Sequence, residues 1–260
     1  MAKIPVDFLS GPGPGVTISR IDFSQTGLSD YAGHYAVVLD NVLTRSECQN
    51  LIALAEAQTE PNGNWERAMI NVGGGRQMLA TEARNCGRII WDSPEMVARI
   101  WRRIEGSVPE LQRVEGKAWA HALGNGPVQR GDGWQLTSLN ERMRFLKYEG
   151  GEYFRPHCDG VYATPDGSQR SLFTLHLYLN GTEEDRPLVG GATTFHSFRD
   201  RFMIQTAEPD EYNKKGRWGV DPKAGRVLLF QHRNLLHSGD DVVEGTKYTM
   251  RTDVMFEGTG

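Results

Sequence analysis

Cysteine is scarce in this chain: Cys48, Cys86 and Cys158 are the only three among 260 residues, and no two form a Cys-x-x-Cys pair. The spacing excludes a zinc ribbon, makes structural disulfides unexpected and fits a reducing compartment. Long apolar runs are missing too. No stretch approaches the roughly 20 apolar residues that span a bilayer. The start, Met1-Ala2-Lys3-Ile4-Pro5-Val6-Asp7, lacks the apolar centre of a secretory signal. The expectation is a soluble, cytoplasmic protein with no membrane partner. Charge of one sign is nowhere concentrated: 29 basic and 33 acidic residues leave a net charge of -4 without a block of either. Nucleic acid is therefore not an implied partner. The segment Val72-Gly73-Gly74-Gly75-Arg76 is glycine-rich, yet no Gly-Lys-Ser/Thr follows it, which excludes a phosphate loop and leaves a mobile one.

Two kinds of pattern divide the rest. Leu-Ser-Gly-Pro-Gly-Pro-Gly over residues 9–15 cannot hold a helix or an interior strand, so residues 1–20 read as a flexible arm. A strand is expected over Tyr35–Asp40, then a helix opened by the capping box Thr44-Arg45-Ser46-Glu47 and running to about Gln58. A short strand over Arg88–Trp91 leads into Asp92-Ser93-Pro94-Glu95, a helix start with proline in its first turn, and the second helix runs to about Glu105. From about residue 134 the pattern changes to short alternating runs, with strands expected over 143–148, 153–159, 171–179, 192–196, 202–205, 226–231 and 247–256. Asn180-Gly181 marks a tight turn, and the glycosylation sequon it opens is discarded for an intracellular chain. The fold class is mainly β with packed helices: a jelly-roll core over 136–260 under an N-terminal α/β layer over 21–135, one structural domain overall.

The residues that carry chemistry stand in His157-Cys158-Asp159 and in Leu235-Leu236-His237-Ser238-Gly239. Residues two apart on a strand point to one side, so His157 and Asp159 reach one metal while Cys158 faces the opposite surface and packs there. Two imidazoles and a carboxylate suit a redox-active divalent iron, with coordination positions left open. His237 then has to arrive from a distant strand. His232 is its one serious rival, although it sits in the turn after Val227-Leu228-Leu229-Phe230.

In the order Tyr148, Gly150-Gly151, Phe154, His157-x-Asp159, Tyr178-Leu179-Asn180, Gly190-Gly191-Ala192-Thr193-Thr194-Phe195, Gly225–Phe230, His237 and Gly245–Tyr248, the chain resembles the 2-oxoglutarate and Fe(II)-dependent dioxygenases, in their prolyl 4-hydroxylase-like branch. The resemblance covers about residues 140–257. It implies a double-stranded β-helix core of cupin type, with iron on His157, Asp159 and His237. It also implies 2-oxoglutarate and dioxygen as co-substrates, and it admits ascorbate as an accessory reductant. Lys247 falls where the family places the cation for the far carboxylate of 2-oxoglutarate. Arg251, on the same strand face, either shares that task or binds an acidic substrate. Tyr178 matches a tyrosine that donates to the same carboxylate, and Tyr148 one that lines the pocket. His176 is expected to line the pocket without binding metal.

The chemistry so implied is oxidation of an unactivated C–H bond, most simply to an alcohol, coupled to conversion of 2-oxoglutarate to succinate and carbon dioxide. Specificity is expected from Met69–Arg88 with Arg84 and Arg88, from Trp91, from Asn125–Trp134 and from Arg144. A small-molecule substrate, acidic or amino-acid-like, leads. A peptidyl, prolyl-type hydroxylase is the alternative, and a noncatalytic metal-binding jelly roll a remote third.

Overall fold

The computed structural model describes residues 3–61, 63–71, 73, 76–182, 188–200 and 216–259. Both expected helices form where their caps stand. Thr44 accepts from the backbone N–H of Glu47 while the Glu47 carboxylate returns to the backbone of Thr44, and the helix α1 spans Arg45–Glu56. Ser93 caps α2, Pro94–Ile104, with proline in its first turn and Arg102 and Arg103 in its last. Those ends complement the partial charges of the helix dipole.

Most strands form two stacked sheets, with two separate two-stranded pairs besides, and every pairing among the described residues is antiparallel. The major sheet runs in the order Thr17–Arg20, Ala36–Asp40, Val227–Gln231, Gln169–Tyr178, Lys247–Gly258, Arg142–Tyr148, Gly87–Asp92, Glu66–Arg67. The minor sheet runs Arg217–Val220, Thr193–His196, His237–Gly239, Tyr153–His157, Arg84–Asn85. One face of the major sheet carries Phe173, Leu175, Leu177, Met250, Val254 and Phe145, which pack with Leu51 of α1 and Val97, Ile100 and Ile104 of α2 into the main core. The other face meets the minor sheet, where Phe23, Tyr31, Phe195, Leu228 and Phe230 close one end of the sandwich. Both faces of the central strands are covered, so Gln169–Tyr178 reads as an apolar run broken by inward polar residues.

Two expectations need correction. The arm expected over residues 1–20 is tied down where it is described: Thr17–Arg20 pairs with Ala36–Asp40, and Phe8 and Leu9 are buried in the main core. Buried Arg99 donates to the carbonyls of Pro5 and Phe8, giving that irregular backbone the partners that its own proline and glycine residues cannot supply. Over 153–159 the strand ends at His157, so Asp159 lies past it and Cys158 is exposed rather than packed. The segment Asn125–Trp134, from which specificity is expected, holds a helix over Asn125–Arg130 and the start of the strand Gly133–Leu139. The strand expected over 202–205 falls outside the described residues, as do Val72, Gly74 and Gly75 of the glycine-rich segment. The layer over 21–135 is woven into the core, contributing strands to both sheets.

Candidate active site

Strand alternation builds the floor of a cavity between the sheets. Thr174 and His176 turn inward from Gln169–Tyr178, and Lys247 and Arg251 turn inward from Lys247–Gly258. Register fixes the lateral order: His176 stands opposite Arg251, and Tyr178 opposite Thr249. On the other side Tyr148 stands opposite Lys247, and Arg144 opposite Arg251. The minor sheet forms the roof with Phe154, His157, His237, Ser238 and Gly239, and Arg84 closes one side. The room it leaves free is small, about 30 Å³.

His157 and His237 are cross-strand partners. Each imidazole turns Nδ1 to a backbone carbonyl two residues earlier, His157 to Arg155 at 2.8 Å and His237 to Leu235 at 3.0 Å. A carbonyl only accepts, so the hydrogen sits on Nδ1 and the Nε2 lone pair faces the cavity. Asp159 Oδ1 lies 3.6 Å from His157 Nε2, and its Oδ2 lies 3.7 Å from His237 Nε2. The three side chains offer donor atoms within 4.8 Å of one another. Thr174 Oγ1 donates to Asp159 Oδ2, and Arg251 Nη2 stands 3.0 Å from Oδ1. Burial pushes the Asp159 carboxyl up, but Arg251 and the two imidazoles outweigh it and hold the group well below the usual carboxylate range. Burial pushes His237 down to about 3, which keeps the imidazole in the neutral form that binds a metal.

Lys247 is 1% exposed. Its Nζ donates to the Gly191 carbonyl at 2.6 Å, and no carboxylate among the described residues lies within ion-pair distance of it. Burial pulls its ammonium down to about 8, only partly offset by Asp240 and Cys86. Tyr148 presents its ring to Nζ, the centroid 5.0 Å away. Arg251 is engaged already, by Asp159 at 3.0 Å and Asp253 at 3.2 Å. Tyr178 departs from expectation: its hydroxyl donates to Thr193 Oγ1 at 2.6 Å, and it is Thr193 that lines the cavity. His232 faces Asp253, 3.6 Å from Nε2 to Oδ1, and takes no part in the triad. Trp91 stacks on Phe145 in the main core, away from the cavity. Thr174 and Asp253 were given no role from sequence; their signal was the inward parity they share with His176 and Arg251.

A sequence profile of the 2OG-Fe(II) oxygenase superfamily matches residues 143–252, the stretch that carries the triad, Lys247 and Arg251. Over those residues the chain is similar to the 2-oxoglutarate and Fe(II)-dependent oxygenase superfamily. Among its relatives, a probable prolyl 4-hydroxylase 10 of Arabidopsis thaliana is 27% identical over 229 residues, covering 82% of this chain and 66% of the relative. Prolyl 4-hydroxylase 5 of the same plant is 25% identical with the same coverage, 82% and 66%. The chain thus spans just under two thirds of the length of these curated relatives. Two solved structures share the fold. A Pseudomonas putida prolyl-4-hydroxylase superposes with a TM-score of 0.51 at 16% identity, over 87% of this chain and 96% of that one. A Trichoplax adhaerens prolyl hydroxylase, solved with a hypoxia inducible factor peptide fragment, gives 0.50 at 18% identity, over 89% and 88%.

The residues of the cavity fit the groups that this superfamily is named for. Two Nε2 lone pairs and one carboxylate converge from a single side, which suits Fe(II) with positions left open. In the cavity lining His176 Nε2 is buried without a hydrogen-bond partner among the described residues. Buried polar atoms are seldom left so, and together with the Lys247 ammonium it suits a polar, anionic guest. Among the described residues no helix is long and apolar enough to cross a membrane.

Proposed function

We propose that this protein is an iron- and 2-oxoglutarate-dependent dioxygenase that hydroxylates a C–H bond of a small molecule. The observation that carries the reading is the His157, Asp159 and His237 triad sharing one cavity with a buried lysine that has no carboxylate partner among the described residues. Iron, 2-oxoglutarate and dioxygen supply the oxidation, releasing succinate and carbon dioxide as one oxygen atom enters the substrate. The protein binds and orients. His157, Asp159 and His237 hold the metal, their donor atoms aimed by the Arg155 and Leu235 carbonyls and by Thr174. Lys247 meets the far carboxylate of 2-oxoglutarate, with Thr193 beside it and Tyr178 orienting that threonine. Tyr148 fills the wall next to Lys247. Arg251 steadies the metal-binding carboxylate rather than acting as the main anchor, because its guanidinium is already shared between Asp159 and Asp253.

The small-molecule reading rests on the cavity's narrowness, with Arg84 buried at its side. Peptidyl prolyl hydroxylation is the second reading, favoured by the names of the curated relatives. Succinate release that requires both Fe(II) and 2-oxoglutarate, and that is stimulated by free amino acids and small acids more than by proline-containing peptides, is the expected result. Stimulation by peptides alone selects the second reading. Asp159→Ala is expected to abolish iron-dependent turnover, and unchanged activity would refute the site.

A further inference from the structure

The cavity lining holds three cationic side chains, Arg84, Lys247 and Arg251, against one carboxylate, Asp159. Two of the three have an assignment: Arg251 is paired with Asp159 and Asp253, and Lys247 suits the far carboxylate of 2-oxoglutarate. Bound iron and the 2-oxoglutarate dianion cancel, so the excess of positive charge persists in the loaded site. Arg84 is the unassigned one. It is 8% exposed, its Nε has no hydrogen-bond partner, and it forms no ion pair among the described residues. A buried guanidinium without a counter-ion is costly unless something anionic arrives to meet it.

Its position is built rather than incidental. Arg84 is the cross-strand neighbour of Phe154 at the edge of the minor sheet, its guanidinium 4.5 Å over that ring. Phe154 in turn stacks on the imidazole of His157, centroids 3.6 Å apart. The stack holds the guanidinium on the His157 side of the cavity. Tyr148 separates it from Lys247: its ring faces the ammonium, while its hydroxyl adjoins Arg84 and Cys86. The two cations therefore address different guests.

We propose that Arg84 binds a carboxylate of the primary substrate, so that this oxygenase acts on an organic acid whose oxidised carbon lies a short distance from that carboxylate. The planar guanidinium suits bidentate recognition of a carboxylate, and Phe154 restricts it to one orientation. The inference rests on the proposed function for its catalytic meaning, but the anion site itself is testable without turnover.

The probes are monocarboxylic acids, including hexanoate and N-acetylproline, each compared with its primary carboxamide by saturation-transfer NMR with 2-oxoglutarate present under anaerobic conditions. At least one acid is expected to bind tenfold or more tightly than its amide. Arg84→Gln is expected to erase that preference, and Arg84→Lys to retain part of it, as a charge without the fork. The half-saturating 2-oxoglutarate concentration, followed through the absorption band of its iron complex, should change less than threefold in either variant. Equal binding of acids and amides by the unmodified protein overturns the proposal. So does a preference that survives Arg84→Gln in a variant that melts like the parent, or a loss confined to 2-oxoglutarate. Absence of the iron band in the parent protein refutes the catalytic reading instead, and leaves the acid-over-amide comparison to decide the anion site.

Discussion

Asp159 and Lys247 are the side chains on which the site turns, and each is controlled by contacts at the atomic scale. Thr174 holds one oxygen of Asp159 and Arg251 the other, so the carboxylate is fixed before metal arrives. Partners of this kind commonly contribute tenfold to hundredfold in metal affinity. Thr174→Val is therefore expected to weaken Mn(II) or Fe(II) binding by about tenfold, read by competition with a chromophoric chelator. A change under twofold would show that Arg251 alone suffices. For Lys247 the sign follows from burial, which lowers the ammonium to about 8 from the ordinary 10.5. Only the charged form meets a carboxylate, so the half-saturating 2-oxoglutarate concentration should climb as pH rises through about 8. Lys247→Arg, charged throughout, should flatten the profile. The same shift affects folding: the unfolded chain holds more protons between about 8 and 10.5, so stability from this group rises with pH across that window.

At the scale of elements, the caps did what their spacing foretold. Thr44 and Glu47 close the reciprocal bonds that start α1. Thr44→Ala is expected to lower global stability by about 1 kcal/mol, measured as a shift in the denaturant midpoint without a change in slope. The strands were legible through alternation, because residues such as Phe173, Leu175 and Leu177 have to leave water on one face. The end of a strand was less so. Whether Tyr153–His157 stops at His157 or continues to Asp159 depends on where its partner His237–Gly239 diverges, and that pairing joins segments distant in sequence. Cys158 was misjudged for the same reason: once the ladder ends, alternation no longer dictates direction.

For the whole molecule, one residue shows how core and site depend on each other. Phe173 is fully buried among Tyr35, Trp119 and Phe256, on the strand that sends Thr174 and His176 into the cavity. Phe173→Ala is expected to cost about 3–5 kcal/mol by thermal or denaturant unfolding, from lost burial and the cavity left behind. Metal affinity should fall with it if loosening this strand disturbs Thr174. The N-terminal segments take part in the same frame, since Arg84–Asn85 extends the minor sheet and Gly87–Asp92 the major one. Arg84 thereby reaches the cavity from a region far in sequence from the metal-binding strands.

The sequence alone determined the residue types and order that make a metal triad, the parity that faces Lys247 and Arg251 the same way, both helix starts and the sandwich class. These are properties of local geometry: a strand repeats every two residues and a helix start exposes N–H groups that nearby side chains must satisfy. Only the tertiary structure decided that Arg251 is occupied by two aspartates, that Tyr178 bonds to Thr193, and that Arg84 stands in the cavity without a counter-ion among the described residues. Each depends on which groups burial brings within a few ångströms across strands far apart in the chain. An ionic partner is a matter of distance through space, and no spacing along the sequence specifies it.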